Sequence, residues 1–384
     1  MFARRRLLQG LLAGAAAGPA LIRAQTPPAS SGGSAAPRPS AAARQRLVFG
    51  NGPTRIALLI ESSSDDYAAA AKSVIAGVKT AWTVDGADVT VEVLPLAEAD
   101  PGLARTVQAL QTRGFSMAIG PLTRDNVNAI VDLGVLPVPV LALNLPDVDR
   151  YVPRNVTFFS LAIEGEGRQV ADQAHAEAAV RAGGRRPLQA LLIGDSSSLA
   201  RRGLAAFGQR WSELGGAIVD TVEIDAADAG DWRSVLASAQ ADAAFTVVSP
   251  DNLRMVRAAL RTDIPLFGTS QLNAVQANIA NRGPELDGIR FVDMPWQIDP
   301  TNTAVMAYPR ERTLRHLDFQ RLYALGIDAY RVARMLVRGE TRFELDGVTG
   351  WLRVDLQNDL RIERQAVAAE FRSGQVVPLR MAAR

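Results

Sequence analysis

From Arg55 onward the chain alternates short apolar runs with helix-period stretches, and few folds accommodate that rhythm. Arg55–Glu61 (RIALLIE) reads as a buried strand, with Asp65 or Asp66 placed to cap a helix running to about Val84. Val89, Val91 and Val93 then alternate with polar neighbours at the two-residue period of a strand. The following helix is punctuated by Asp100, Pro101 and Gly114, with Leu103, Val107 and Leu110 on one face. Met117–Gly120, Thr123–Leu133 and Val138–Leu143 continue as strand, helix and strand. The rhythm restarts with a helix over Gly165–Ala182 and strands at Leu188–Gly194, Ile218–Ile224, Ala243–Val248, Pro265–Gly268 and Gly288–Val292. Helices are expected between them, one striped by Leu204, Phe207, Trp211 and Leu214, the others over Trp232–Ala239, Leu253–Arg261 and Asn273–Asn281. A long helix over Phe319–Val337 and a β-rich tail, Phe343–Leu379, close the chain. Strands and helices taking turns build parallel sheets with right-handed crossovers. The expected fold is α/β, with two doubly wound parallel-sheet lobes joined by a hinge.

The length supports that division, since 384 residues exceed what one compact core usually organises. The boundaries read as residues 51–160 for the first lobe and 161–293 for the second. Residues 294–384 carry the hinge crossover, a helix returning to the first lobe and the closing β-segment. Ahead of them, Ala3-Arg4-Arg5-Arg6-Leu7-Leu8 and the weakly apolar Gly10–Ile22 have the grammar of an export signal over 1–24, cut after Ala24. The paired arginines resemble a twin-arginine address, and a Sec signal with an extra arginine is the other reading. Its apolar middle is too short to anchor a spanning helix, so no membrane anchor is expected. Residues 25–50, rich in Pro, Ser, Gly and Ala, read as a linker without packed structure. Periplasmic localisation follows. The net charge of +2 falls to about −2 without the four arginines of the signal, which leaves no global field for nucleic acid. With no cysteine, the chain has no disulfide, thiolate metal site, cysteine nucleophile or lipidated cysteine.

Ligands of open parallel sheets bind beyond the carboxyl ends of strands, where helix N-termini favour anions. Here those loops are hydroxyl- and amide-rich, and the candidate cleft residues are Ser62, Thr123, Asn144, Ser196, Ser249 and Ser270. Capping of the next helix is the plain alternative for each. Trp296 sits where the chain crosses between lobes, facing the cleft or a partner, or else packed in the core or hinge. Gly165-Glu166-Gly167 lacks the third glycine and preceding strand of a dinucleotide fingerprint, and no nucleophile elbow, phosphate loop or zinc-helix motif occurs. His175 and His316 lie among charged residues and read as solvated surface. The chain is expected to bind without catalysing, and to need no metal or cofactor.

The segment order over Arg55–Leu379 resembles the type I periplasmic binding fold of branched-chain amino-acid receptors. Within it the chain is similar to the C-terminal domain of the LpoA/LppC group of penicillin-binding-protein activators. The residues that carry this are Gly120-Pro121-Leu122 with Asn126-Val127, Leu141-Ala142-Leu143-Asn144, Phe158-Phe159-Ser160-Leu161-Ala162 with Glu164, Met294-Pro295-Trp296, and Leu322-Tyr323-Ala324-Leu325-Gly326-Ile327-Asp328-Ala329-Tyr330. The resemblance implies a bifunctional penicillin-binding protein as partner and control of peptidoglycan synthesis as function. Without a cysteine to lipidate or room for an N-terminal helical-repeat domain, a soluble single-module relative is expected. The alternative is a receptor passing an amino acid or other small solute to an ABC transporter permease. For that role Leu122 intrudes on the first-lobe loop, and Ser249-Pro250-Asp251 offers no aromatic cage wall.

Overall fold

The computed structural model describes residues 47–86, 88–147, 150–224, 231–273, 283–311, 313–314 and 316–379. Most of the helix expected over Asn273–Asn281 and nearly all of the export signal and linker lie outside them.

Apolar runs become strands buried on both faces. In β2 (Thr54–Ile60), Ile56, Leu58 and Ile60 point into one core while Ala57 and Leu59 enter another. That is the period-two split of a strand sandwiched between helix layers. β2 is joined by β1 (Val48–Phe49), β3 (Val89–Pro95), β4 (Met117–Ile119), β5 (Val140–Ala142) and β6 (Val156–Phe158). Their order is β1-β3-β2-β4-β5-β6, parallel except for β1. β1 corrects the expectation that residues 25–50 are entirely unpacked. Phe49 is buried edge-on against Trp82, 5.6 Å between ring centres, and the free edge of β3 supplies its ladder.

The second sheet, in order β16-β15-β11-β10-β9-β7-β8, has a parallel centre of β7 (Gln189–Gly194), β8 (Ala217–Glu223), β9 (Ala243–Val247), β10 (Leu266–Gly268) and β11 (Arg290–Asp293). β15 (Val367–Arg372) and β16 (Gln375–Pro378) add antiparallel strands beside β11. Leu191 and Ile193 face one core and Ala190 and Leu192 the other.

Helix pairs clamp each lobe through glycine. α1 (Ala68–Asp85) and the last helix, α10 (Leu317–Val337), touch backbone to backbone. A Cβ on Gly77 would lie 2.0 Å from the Tyr323 carbonyl oxygen, and one on Gly326 would lie 2.3 Å from that of Val74. In the second lobe, α4 (Ile163–Arg181) and α5 (Ser198–Glu213) repeat the device, with Gly167 against the Gly203 carbonyl. α1 begins later than the Asp65–Asp66 reading implied, and its N-terminal residue, Tyr67, makes no side-chain cap. The helix expected after Asp100 shortens to α2 (Leu103–Gln108) followed by turns, while α3 (Arg124–Asp132) matches its expected span.

The remaining helices are α6 (Trp232–Ser238), α7 (Pro250–Ala259), α8 (Pro295–Ile298) and α9 (Thr303–Met306). A third sheet, β12 (Arg342–Asp346), β13 (Trp351–Asp355) and β14 (Glu363–Gln365), buries Leu352 and Val354 in the core shared by α1 and α10. It reaches the first sheet through bonds from the Phe158 amide to the Leu360 carbonyl (2.8 Å) and from the Ile362 amide to the Phe158 carbonyl (2.9 Å). The chain thus passes between lobes three times: from β6 to α4, from β11 to α8, and from β14 to β15.

Candidate functional site

In each lobe the strand order reverses at one crevice, between β2 and β4 and between β7 and β9, where an open α/β sheet would receive a ligand. The first crevice is filled by the chain itself. Glu61, the residue after β2, is fully buried, and its carboxylate accepts from the Leu122 amide (3.0 Å), the Thr123 amide (3.0 Å), the Thr123 hydroxyl (2.9 Å) and Asn126 Nδ2 (2.9 Å). These donors are the N-terminal groups of α3, which an exogenous anion would otherwise seek. Tyr67 lies nearby, and burial together with Glu98 pushes its hydroxyl up to about 12.

A second internal carboxylate serves the second lobe. Glu166, in the first turn of α4, accepts from the Ser270 amide at 2.9 Å and pairs with Arg364 of β14 at 3.1 Å. Arg364 also donates to the Thr349 carbonyl, and Thr349 bonds the buried Asp328, which pairs with Arg331 at 3.1 Å. Beside this chain, Arg321 of α10 reaches across to the end of β11, 3.0 Å from Asp293, and donates to the Ser270 carbonyl at 2.9 Å. Asn273 bonds the same Asp293 oxygen at 2.7 Å. Arg321 is 7% exposed and Asp293 is fully buried. Burial works against the Arg321 charge, but Asp293, Asp318 and Glu166 together hold the guanidinium protonated beyond its usual range.

Arg321 and Arg364 come from elements packed on the first-lobe core, and Glu166, Ser270 and Asp293 come from the second lobe. The cluster lies beside the three interlobe crossings. Buried pairs of this kind add little net stability, because each ion loses several kcal/mol of hydration, yet breaking one by removing a partner is costly. By contrast, Arg338 and Asp88, half exposed at 2.8 Å, contribute at most about 1 kcal/mol. The seam therefore ties the lobes together through internal pairs, while the Thr246 and Thr269 hydroxyls, Arg321 Nε and Trp296 Nε1 are buried beside it without a hydrogen-bond partner among the described residues.

Residues 41–228 and 233–374 match the family described as "LppC putative lipoprotein". The chain belongs to the LppC family. Among curated relatives, the penicillin-binding protein activator LpoA of Pantoea ananatis is 26% identical over 328 residues, covering 72% of this chain and 46% of the relative. The chain thus spans about half the length of the curated relatives it matches. A structure of the LpoA (YraM) C-domain from Haemophilus influenzae, described as a regulator of PBP1A, superposes with a TM-score of 0.68 at 21% identity, covering 85% of this chain and 100% of that one. A "putative branched-chain amino acid ABC transporter" structure from Chromobacterium violaceum gives a TM-score of 0.66 at 31% identity, covering 83% and 99%. The fold is the type I periplasmic binding fold that the segment order implied.

In this LppC-family chain the expected cleft residues divide. Thr123 comes to the first crevice, bonded to Glu61, and Ser270 comes to the seam, bonded to Glu166. Asn144 donates from Nδ2 to the Leu122 carbonyl (2.9 Å) and accepts from the Leu145 amide, shaping the loop beside Thr123. Ser62 sits in the turn after Glu61, its amide bonded to the Ile60 carbonyl at 2.7 Å. Ser249 caps α7 through the Asn252 amide (3.3 Å), and exposed Ser196 precedes the Ser197 cap of α5. Trp296 takes the core alternative. It is 1% exposed against Tyr323, with ring centres 5.5 Å apart and the Arg310 guanidinium 4.1 Å from the ring.

His175 departs from its surface reading. It packs edge-on to Trp211 at 5.2 Å, and burial followed by the nearby Arg186 lowers its pKa. His316 is exposed, accepting from the Asp318 amide at the start of α10. Glu61, which fills the first crevice, and Glu166, Asp293, Arg321 and Arg364, which build the seam, carry no motif. Glu61 was visible only as the polar end of a buried run, and the Gly-Glu-Gly around Glu166 only as a failed fingerprint. A groove of about 450 Å³ lies elsewhere, on the flank of the second lobe between α5 and β7–β8.

Proposed function

We propose that this LppC-family chain is an exported periplasmic protein that binds a bifunctional penicillin-binding protein, favours its active conformation and so promotes peptidoglycan synthesis, without catalysing a reaction itself. The observation that carries this reading is the self-occupied seam. Glu61 and Glu166 take up the backbone donors that a solute carboxylate would use, and Arg321 is spent on Asp293. A chain that pairs these strand-end backbone donors and the Arg321 charge internally has its outer surface left for recognition. The names of its relatives, penicillin-binding protein activators, and the Arg4-Arg5-Arg6 export grammar support the same reading. Activation by such a protein is differential binding: the partner state that makes more contact gains population.

The test is reconstitution. The full mature chain is added to the purified periplasmic region of each bifunctional penicillin-binding protein of its host, and glycan polymerisation and cross-linking rates are followed. Stimulation of either rate together with micromolar or tighter binding is expected; no binding to any of them sinks the proposal. A second reading, a solute receptor for an ABC transporter, draws on the 31% identity to the Chromobacterium violaceum structure. It requires an amino acid or related metabolite that raises the melting temperature of the chain.

A further inference from the structure

The third sheet turns one face to the α1–α10 core and the other to solvent. Cross-strand pairs of an antiparallel ladder share a face. The pairs Phe343–Val354 and Leu345–Leu352 therefore lie inward, and Arg364, opposite Leu352, points inward to Glu166. The outer face carries Arg342, Glu344 and Asp346 from β12, Trp351, Arg353 and Asp355 from β13, and Glu363 and Gln365 from β14. At the start of the middle strand Trp351 is 47% exposed, directly between Asp346 and Gln365. Trp82, Trp211, Trp232 and Trp296 are more enclosed, so Trp351 is the most exposed tryptophan.

The charges around the indole do not balance. Arg342 lies 3.6 Å from Asp355 and Arg353 lies 3.8 Å from Glu344, both loose pairs. Asp346 lies directly opposite the ring and Glu363 diagonal to it, across the ladder from Arg353, and neither carboxylate has a cation within 4 Å among the described residues. Asn302, which caps α9, approaches Asp346 at 3.5 Å, and the same short helix carries Met306, also largely exposed. An exposed indole flanked by carboxylates attracts a guanidinium or ammonium twice, through the ring face and through the acids. Tryptophan facing arginine is also a recurrent centre of protein interfaces.

We propose that the outer face of the β12–β14 sheet, centred on Trp351 and flanked by Asp346 and Glu363, is a docking surface for a partner-protein segment bearing arginine or lysine. This deepens the function proposed above and rests on its premise that the chain acts by contact with a protein.

Two measurements on the full mature chain test it. In the first, binding to the penicillin-binding protein is compared for wild type, Trp351→Ala, Trp351→Phe and Glu363→Arg. Because Trp351 and Glu363 are exposed, melting temperatures stay within about 1 °C of wild type. Affinity falls at least tenfold for Trp351→Ala and severalfold for Glu363→Arg, with Trp351→Phe between wild type and Trp351→Ala. In the second, the indole ¹⁵N–¹H resonance of Trp351 is followed while acetyl-Arg-Ala-Arg-amide or chitotetraose is added, and the arginine peptide moves it. Unchanged affinity of Trp351→Ala for a partner that the wild type binds overturns the surface and leaves the function standing. A Trp351 signal that responds to chitotetraose and not to the peptide also overturns it, in favour of a glycan site. Should the wild type bind no penicillin-binding protein, the function falls and the peptide titration decides the surface alone, a motionless resonance overturning it.

Discussion

Replacing Arg321 by methionine probes the seam where its energetics are sharpest. Methionine keeps most of the aliphatic stem and removes the guanidinium. Three interactions go: Asp293 at 3.0 Å, the Ser270 carbonyl at 2.9 Å and Asp318 at 3.1 Å. Asp318 is part exposed and rehydrates. Asp293 is fully buried and keeps Asn273 at 2.7 Å and the Met294 amide at 2.8 Å, so its charge is left solvated by two neutral donors alone. An orphaned buried charge costs about 3–5 kcal/mol, and the Ser270 carbonyl loses a bond worth about 1 kcal/mol within that range. At about 2.1 cal/mol/K of unfolding entropy per residue, a cooperative unit of this length shifts roughly 1.4 °C per kcal/mol, so the melting temperature falls by about 4–7 °C. Urea unfolding of the four members of an Arg321→Met, Asp293→Asn cycle isolates the charge. With asparagine at 293 the methionine substitution is expected to cost only about 1 kcal/mol, a coupling of about 2–4 kcal/mol. A methionine variant within about 1 kcal/mol of wild type, or an equal loss in both backgrounds, would refute the claim that the seam is held by compensated burial.

Two further outcomes follow from the packing. Gly77→Ala places a methyl 2.0 Å from the Tyr323 carbonyl, a contact with backbone that can be relieved only by parting α1 from α10. It should cost about 2–3 kcal/mol or more, whereas Gly208→Ala, whose new methyl has its nearest contact at 3.5 Å, should be neutral or slightly stabilising by urea midpoint. The lowered pKa of His175 means that the native state takes up this proton less readily than the unfolded chain, whose histidine titrates near 6.5. The stability that its neutral ring contributes is complete above about pH 6.5 and declines as pH falls toward the native-state value. Melting temperature should therefore drop between pH 7 and pH 5, and His175→Phe, which retains a ring against Trp211, should flatten that part of the profile.

The succession of strands and helices was legible because burial on both faces of a parallel sheet demands continuous apolar runs, and Arg55–Glu61 and Ala243–Val248 have no other stable use. The long helix ending in Val337 was equally plain, since its stripe of small and apolar residues repeats at the helical period. Thr123, Asn144 and Ser270 lie in the loops after β4, β5 and β10, but none of them is a side-chain helix cap: Thr123 and Ser270 bond internal glutamates, and Asn144 bonds the Leu122 carbonyl. What occupies those ends could not be read from spacing. Glu61 and Asn126 meet across 65 positions and Glu166 and Arg364 across 198, and none of the four marks its partner locally. A carboxylate becomes a structural anion only when the fold withdraws water from it and aims donors at it, and both conditions depend on elements distant in sequence. Trp351 extends the case. The tail read only as β-rich, and the packing of β12–β14 on α1 and α10 decided which face of its strand the indole lies on.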